Sequence, residues 1–301
     1  MKRLSWELQQ VEYQHHEGSY ATQANRRHML ILFGHQLWEA GYRQMHPEDL
    51  KGRHVNALLA RWREDGVRPG TMKNRLSVLR WWAEKIGNPS LLAASNDHYG
   101  VPRREYVARE SKAQELPPDK LEKVRNAYVR MSLELQRAFG LRREESIKIR
   151  PWQADKGDRL VLQASWTKGG RPRDIPIRTA AQLEVLDHAK ALVKNKTSAL
   201  IPAHKTYAQQ LHSYEGQCLR VGLHKMHGLR HAYAQTRFEE LAGFACPAAG
   251  GPTRENMTSE QREADYDARL IVSEELGHTR PEITNAYLGS VAGSRKEGVS
   301  P

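Results

Sequence analysis

The chain has 301 residues carrying 47 Lys and Arg against 35 Asp and Glu, a formal net charge of +12. That length favours two domains of ordinary size and a core that needs no covalent staples, while two cysteines only, Cys218 and Cys246, with no Cys-x-x-Cys, argue against a structural zinc site or a disulfide framework and fit a reducing cytoplasm. With no signal-like N-terminus and no run of about 18 apolar residues, no membrane partner is expected; the excess charge points to a polyanion, nucleic acid foremost, against the plainer reading of a basic solubility surface.

Residues 20–94 read as helical. A first segment runs from about Thr22 to Ala40. A second, after the turn-like His46-Pro47-Glu48-Asp49, covers about Leu50 to Asp65. A third begins at Gly70-Thr71, with Thr71 as its N-cap, and ends at Gly87-Asn88-Pro89. Its Met72, Leu76, Leu79 and Ile86 fall at helical spacing, which leaves Lys73, Asn74, Ser77 and Arg80 on another face. That face, with Thr71, is either plainly solvated or lies on a DNA groove and its phosphates. Polar, aperiodic sequence over about 100–115 predicts a linker between an N-terminal helical domain, 1–105, and a second domain, 116–301.

The second domain opens with Pro117 and Pro118 at the entry of a helix over about 120–138 that breaks at Gly140, followed by a short helix from Arg143 to before Pro151. The convincing β sequence is Arg159-Leu-Val-Leu-Gln and Arg173-Asp-Ile-Pro-Ile, flanking a turn at Lys168-Gly169-Gly170. Helical patterns follow at about 179–194, 206–221, 226–242 and 259–276, with a short helix around 281–288; residues 243–258 read as a loop. The fold class is therefore mainly α with a small antiparallel β-sheet.

Chemistry concentrates in the second domain. His227 and Arg230 are three apart on a helix and leave the same face. An arginine offers phosphate two parallel hydrogen bonds and a permanent charge, and a histidine beside it manages protons near neutral pH. Alone, the pair reads more simply as a surface arginine and a capped or core histidine. Gly140-Leu141-Arg142-Arg143-Glu144-Glu145 places a second arginine at a helix start, where backbone N–H groups also favour an anion, with Glu145 spaced to hold Arg142. Lys168 sits at a turn tip with glycines behind it, which by itself is a solvated lysine. Leu276-Gly277-His278 looks like a helix C-terminus with His278 just past it, and Tyr287 follows nine residues later. A lone tyrosine is a packing residue; one following two histidines and an arginine suits attack on phosphorus.

Taken in order, Gly-Leu-Arg142-x-x-Glu145, Lys168 in a β-turn, His227-x-x-Arg230, Leu-Gly-His278 and Tyr287 resemble the tyrosine recombinase (phage integrase) family, most closely the integrases of mobile elements. The motifs cover residues 140–287, and the helical N-terminal part resembles the family's SAM-like core-binding domain. The resemblance implies a catalytic domain in which Tyr287 attacks a DNA phosphodiester to form a 3′-phosphotyrosyl bond. It implies that Arg142 and Arg230 clamp the non-bridging oxygens, His227 and His278 assist, Lys168 protonates the departing 5′ oxygen, and Glu145 supports Arg142. Arg171 and Arg173 on the β-turn join Thr71, Lys73, Asn74, Ser77 and Arg80 as candidate DNA contacts.

The resemblance further implies double-stranded DNA as partner, a homotetramer on synapsed DNA from a monomer free in solution, and accessory DNA-bending or directionality factors. It implies no cofactor, no metal, and a cytoplasmic, nucleoid-associated location. Two features depart from the compact family pattern. The stretch between Arg230 and His278 is long, and the 14 residues after Tyr287, with Gly289, Gly293 and Gly298, predict a poor helix for exchange between subunits. The competing readings are a type IB topoisomerase, which would relax DNA without synapsis, and a non-catalytic DNA-binding protein keeping the fold.

Overall fold

In the first helices of the chain, apolar side chains recur once per turn and one glycine lets two backbones meet. The computed structural model describes residues 2–102, 107–167 and 169–290, so Lys168 and the C-terminal stretch with Gly293 and Gly298 lie outside the described residues. Helix α1, Arg3–Gln14, which precedes the helical stretch expected over 20–94, buries Leu4 and Leu8 against α2, Tyr20–Glu39. Gly34 permits the contact, because a Cβ there would lie 2.5 Å from Ser5 Oγ. Helices α3, Gly52–Glu64, and α4, Pro69–Lys85, complete a core of Phe33, Leu58, Trp62, Leu76, Leu79 and Trp82. The buried indole N–H groups are satisfied by Gln36 and by the Pro47 carbonyl. Helix α4 starts two residues before Thr71, at Pro69, whose fixed φ suits the first helical position; Thr71 is therefore an exposed first-turn residue and not the cap.

The chain divides into two compact units, Met1–Glu105 and Tyr106–Pro301. In the second, the single helix expected over 120–138 is two. Helix α5, Pro118–Glu122, ends, and Asn126 restarts the chain as N-cap of α6, Ala127–Phe139, by accepting the N–H groups of Tyr128 and Val129. Short helices α7, Arg143–Lys148, and α8, Pro151–Ala154, lead to β1, Arg159–Leu162, which pairs antiparallel with β2, Arg173–Pro176, with Leu160 opposite Ile175. Helices α9, Ala180–Leu192, α10, Tyr207–Arg220, α11, Gly228–Ala242, and α12, Ser259–Glu275, follow. A 3₁₀ turn, Pro281–Thr284, then delivers α13, Asn285–Leu288.

Helix α6 is central. Its Val129 and Leu133 pack with Ile147, Tyr214 and Leu229, while Leu135 and Phe139 pack with Leu160, Ile175, Phe238 and Val272. The stretch read as a loop, 243–258, holds 3₁₀ turns at Pro247–Ala249 and Arg254–Asn256. The later part of the expected linker is tied down within this unit. Ala108 N–H donates to the Asn285 carbonyl (2.9 Å), Ser111 Oγ to Gln235 Oε1 (2.8 Å), and Gln114 N–H to the Gly228 carbonyl (3.1 Å). No described helix is long and apolar enough to cross a membrane.

Candidate active site

The site is built where α6 ends. Gly140 takes a left-handed conformation (φ +59°) against Tyr233, whose ring would lie 2.5 Å from a Cβ at this position. Two residues on, Arg142 stands at the N-cap of α7 and Glu145 at its third position. The Glu145 carboxylate accepts the Arg142 backbone N–H and its Nη1, both at 2.7 Å. It also accepts Arg173 Nη1 and Nη2, at 2.9 and 2.6 Å. Glu145 is fully buried. Burial alone would raise its carboxyl, but the Arg173 hydrogen bonds and the charges of Arg173, Arg230 and Arg142 prevail and hold it at about 2.

Arg173 thereby departs from its expected role on DNA. It is 7% exposed, forks onto Glu145, and donates its Nε to the Glu275 carbonyl. Its inward direction follows from the strand: Arg173 and Ile175 share the buried face of β2, with Asp174 and Pro176 outside.

Helix α11 supplies the other arginine. His227 is its N-cap, and Arg230 lies one turn later with 1% exposure. Arg230 joins three elements: Nη1 donates to the Gly140 carbonyl at 2.6 Å, Nη2 to the Leu276 carbonyl, and Nε to Tyr287 Oη at 3.3 Å. Burial, ahead of its charged neighbours, lowers its pKa to about 10, which still leaves it charged at neutral pH.

Gly277 (φ +66°) ends α12 and turns the chain so that His278 faces Tyr287, with ring centroids 5.7 Å apart. The His227 ring is 6.0 Å away on α11. Burial first, then Arg230, Arg142 and Arg173, depresses His278 to about 3. His227 is also lowered, by desolvation and then by Arg230 and Arg142, although the residue as a whole is exposed. Both imidazoles are therefore neutral near pH 7 before any anion arrives.

Five expected site residues thus converge: Arg142, Glu145, His227, Arg230 and His278 around Tyr287. Two further residues, outside the expected site, contact Tyr287. His231 is buried with its ring 4.7 Å from the Tyr287 ring, and burial, then His227, Lys112 and Arg230, lowers it to about 4. Gln235 donates Nε2 to the Tyr287 carbonyl at 2.9 Å. Both were within reach of helical spacing, since they follow His227 by one and two turns on the same face of α11.

The other expected DNA contacts lie elsewhere. Arg171 is exposed on the turn before β2. On α4, Thr71, Asn74 and Ser77 are exposed and Lys73 and Arg80 half-buried. Arg80 is engaged within its own unit, donating to the Ala93 carbonyl and to Asn96 Oδ1. Among the described residues no three His, Cys, Asp or Glu side chains are grouped to hold a metal ion.

Residues 104–236 match the family described as "Integrase", and residues 1–91 the family described as "Phage integrase, N-terminal". No curated protein matches the sequence. A lambda integrase dimer bound to a COC′ core site is similar in structure, with TM-score 0.58 and 16% identity over 99% of this chain and 80% of that one. The XerH site-specific recombinase bound to its difH substrate gives TM-score 0.54 and 15% identity over 94% of this chain and 80% of that one. The Tn1549 transposon integrase in complex with circular intermediate DNA gives 0.50 and 14% over 93% and 94%. Two integrase families matched along most of the sequence, with the fold of these relatives around a site of two arginines, histidines and a tyrosine, lead to one conclusion: the chain belongs to the phage integrase family of tyrosine recombinases, enzymes of site-specific DNA recombination.

Proposed function

We propose that this recombinase cleaves and rejoins duplex DNA through a 3′-phosphotyrosyl intermediate on Tyr287, in the integration or excision of a mobile element. The observation that carries the reading is Arg230 Nε standing 3.3 Å from Tyr287 Oη, within a ring formed by His227, His231 and His278. A phosphate admitted there meets the nucleophile and a fixed positive charge together. In the proposed step Tyr287 Oη bonds to phosphorus, its proton passes to His227, and the bond from phosphorus to the 5′ oxygen breaks. Arg142 and Arg230 neutralise the developing charge on the non-bridging oxygens, and His278 donates to one of them. Lys168 protonates the departing 5′ oxygen. The ester keeps the bond energy, so attack by a 5′ hydroxyl rejoins the strand without ATP.

A lambda integrase tetramer is bound to a Holliday junction in one similar structure, which supports a tetramer of this chain on two synapsed sites. The test is nicked suicide DNA carrying the cognate site, recovered from sequence flanking the gene. We expect a covalent adduct with the wild type and none with Tyr287→Phe. Tight binding to verified cognate DNA without an adduct would overturn the reading, and relaxation of a plasmid lacking any site would replace it with a topoisomerase.

A further inference from the structure

We propose that Arg269 is a positioning residue for the nucleophile: a single guanidinium nitrogen holds both flanks of Tyr287. The inference rests on Tyr287 being the attacking residue. Helix α13 has four residues, too few to define its own geometry, since helices gain stability only beyond their first costly turn. Its position has to be imposed from outside.

Arg269 rises from α12, is 5% exposed, and packs over Phe238 with its Cζ 5.6 Å from that ring. Asp265, one turn earlier, accepts its Nε at 2.8 Å and fixes the plane of the guanidinium. Nη1 then donates to Asn285 Oδ1 at 2.9 Å and to the Gly289 carbonyl at 3.0 Å. Those residues stand two before and two after Tyr287. Gly289 reaches this point because it has no side chain. It has φ +80°, and a Cβ would lie 2.8 Å from the Ala248 nitrogen and 3.1 Å from the Ala108 carbonyl. The Asn285 carbonyl is held in turn by Ala108 N–H, and the Tyr287 carbonyl by Gln235. The nucleophile is therefore clamped before, at and after its own position, and Arg269 supplies two of those holds from one atom.

In-line attack requires the oxygen within about 3–3.5 Å of phosphorus, and a drift of about 1 Å costs on the order of 100-fold in rate. Arg269→Gln loses the fork and the ion pair, so we expect the single-turnover rate of adduct formation on saturating suicide DNA to fall about 100-fold, with DNA affinity within about two-fold of wild type. Arg269→Lys, which can reach one flank with a point charge, should restore part of the rate. Asn285→Ala removes one flank only and should have a smaller effect. Combined with Arg269→Gln it should add little, because both changes break one linkage.

The readout independent of turnover is ¹⁹F NMR of 3-fluorotyrosine placed at position 287 in the DNA-free protein. Arg269→Gln should shift or broaden that signal. If Arg269→Gln fails to fold, Asn285→Ala carries both measurements. Variants that cleave at the wild-type rate with an unchanged ¹⁹F signal overturn the proposal. So does a rate loss that tracks melting temperature and vanishes on cooling, which would mark a merely structural arginine. A wild type that forms no adduct would refute the reading of Tyr287, while the ¹⁹F signal would still decide whether Arg269 holds the segment.

Discussion

Arg230 has both a chemical and a structural role. Its Nε faces Tyr287, while its two Nη groups satisfy the carbonyls of Gly140 and Leu276 at the ends of α6 and α12. Arg230→Ala would therefore abolish cleavage and leave two buried carbonyls unpaired, at about 1–3 kcal/mol each. Arg142 is more exposed, and its side chain is anchored through Glu145 alone among the hydrogen bonds described. We expect Arg142→Ala to lower the cleavage rate by at least about 100-fold with DNA binding largely spared. A near wild-type rate would move the phosphate clamp to Arg143. The histidines give a pH signature. His278 and His231 have folded pKa values of about 3 and about 4, below the 6.5 of the unfolded chain. Between those limits the unfolded state binds protons that the folded state refuses, so stability is lost as pH falls from about 6.5 and the loss ends near the folded values. Each histidine contributes at most about 1.4 kcal/mol per pH unit in that window. Melting temperature should drop between pH 7 and pH 5, and less so in a His231→Gln, His278→Gln double variant. Bound DNA should blunt the drop, because a phosphate beside these rings favours their protonated form.

Glu145 ties a helix start to a strand: α7 through Arg142 and β2 through Arg173, which in turn bonds the end of α12 at Glu275. Glu145→Ala would leave the 4%-exposed side chain of Arg173 with an unpaired buried charge. We expect a loss of about 3–5 kcal/mol, measured by urea unfolding, with Arg142 freed from its rotamer. Elements of this kind differ in how openly the sequence displays them. Helices α9, α10 and α12 each begin with Thr-x-x-Gln, a reciprocal cap written into four consecutive residues. Local spacing places Arg142, Arg230, His278 and Tyr287 at helix termini or on a helix face, but their convergence was legible only through the family resemblance that the pieces carry in order. The break between α5 and α6 was not, because Leu121, Val124 and Val129 keep an apolar rhythm across it and only the Asn126 cap ends the run. The engagement of Arg173 with Glu145 was not legible, because the two lie 28 positions apart. Strand alternation with Ile175 was the available signal that it points inward.

For the whole molecule, the response of DNA affinity to salt is set by the cations that meet phosphates and not by the net charge of +12, to which arginines of two kinds contribute. Arg173, Arg230 and Arg269 are buried, with their hydrogen bonds directed to carboxylates, carbonyls and the Tyr287 hydroxyl of the protein. Others, such as Arg171, stand exposed, and a phosphate contact there would release counterions from the DNA backbone. Affinity should therefore fall linearly with salt on logarithmic axes, by about 10³–10⁵ between 50 and 200 mM if roughly six to ten phosphates are contacted. Total charge cannot separate the two kinds, but the slope can. Arg171→Ala, and Lys73→Ala on α4, should each reduce the slope by about one and leave the melting temperature unchanged. Arg173→Ala should do the reverse, keeping the slope and lowering the melting temperature, since its charge is already spent on Glu145. Titrating binding across salt for the three variants beside their melting curves tests the division. A shallower slope for Arg173→Ala would mean that its guanidinium leaves Glu145 to reach the backbone when DNA binds.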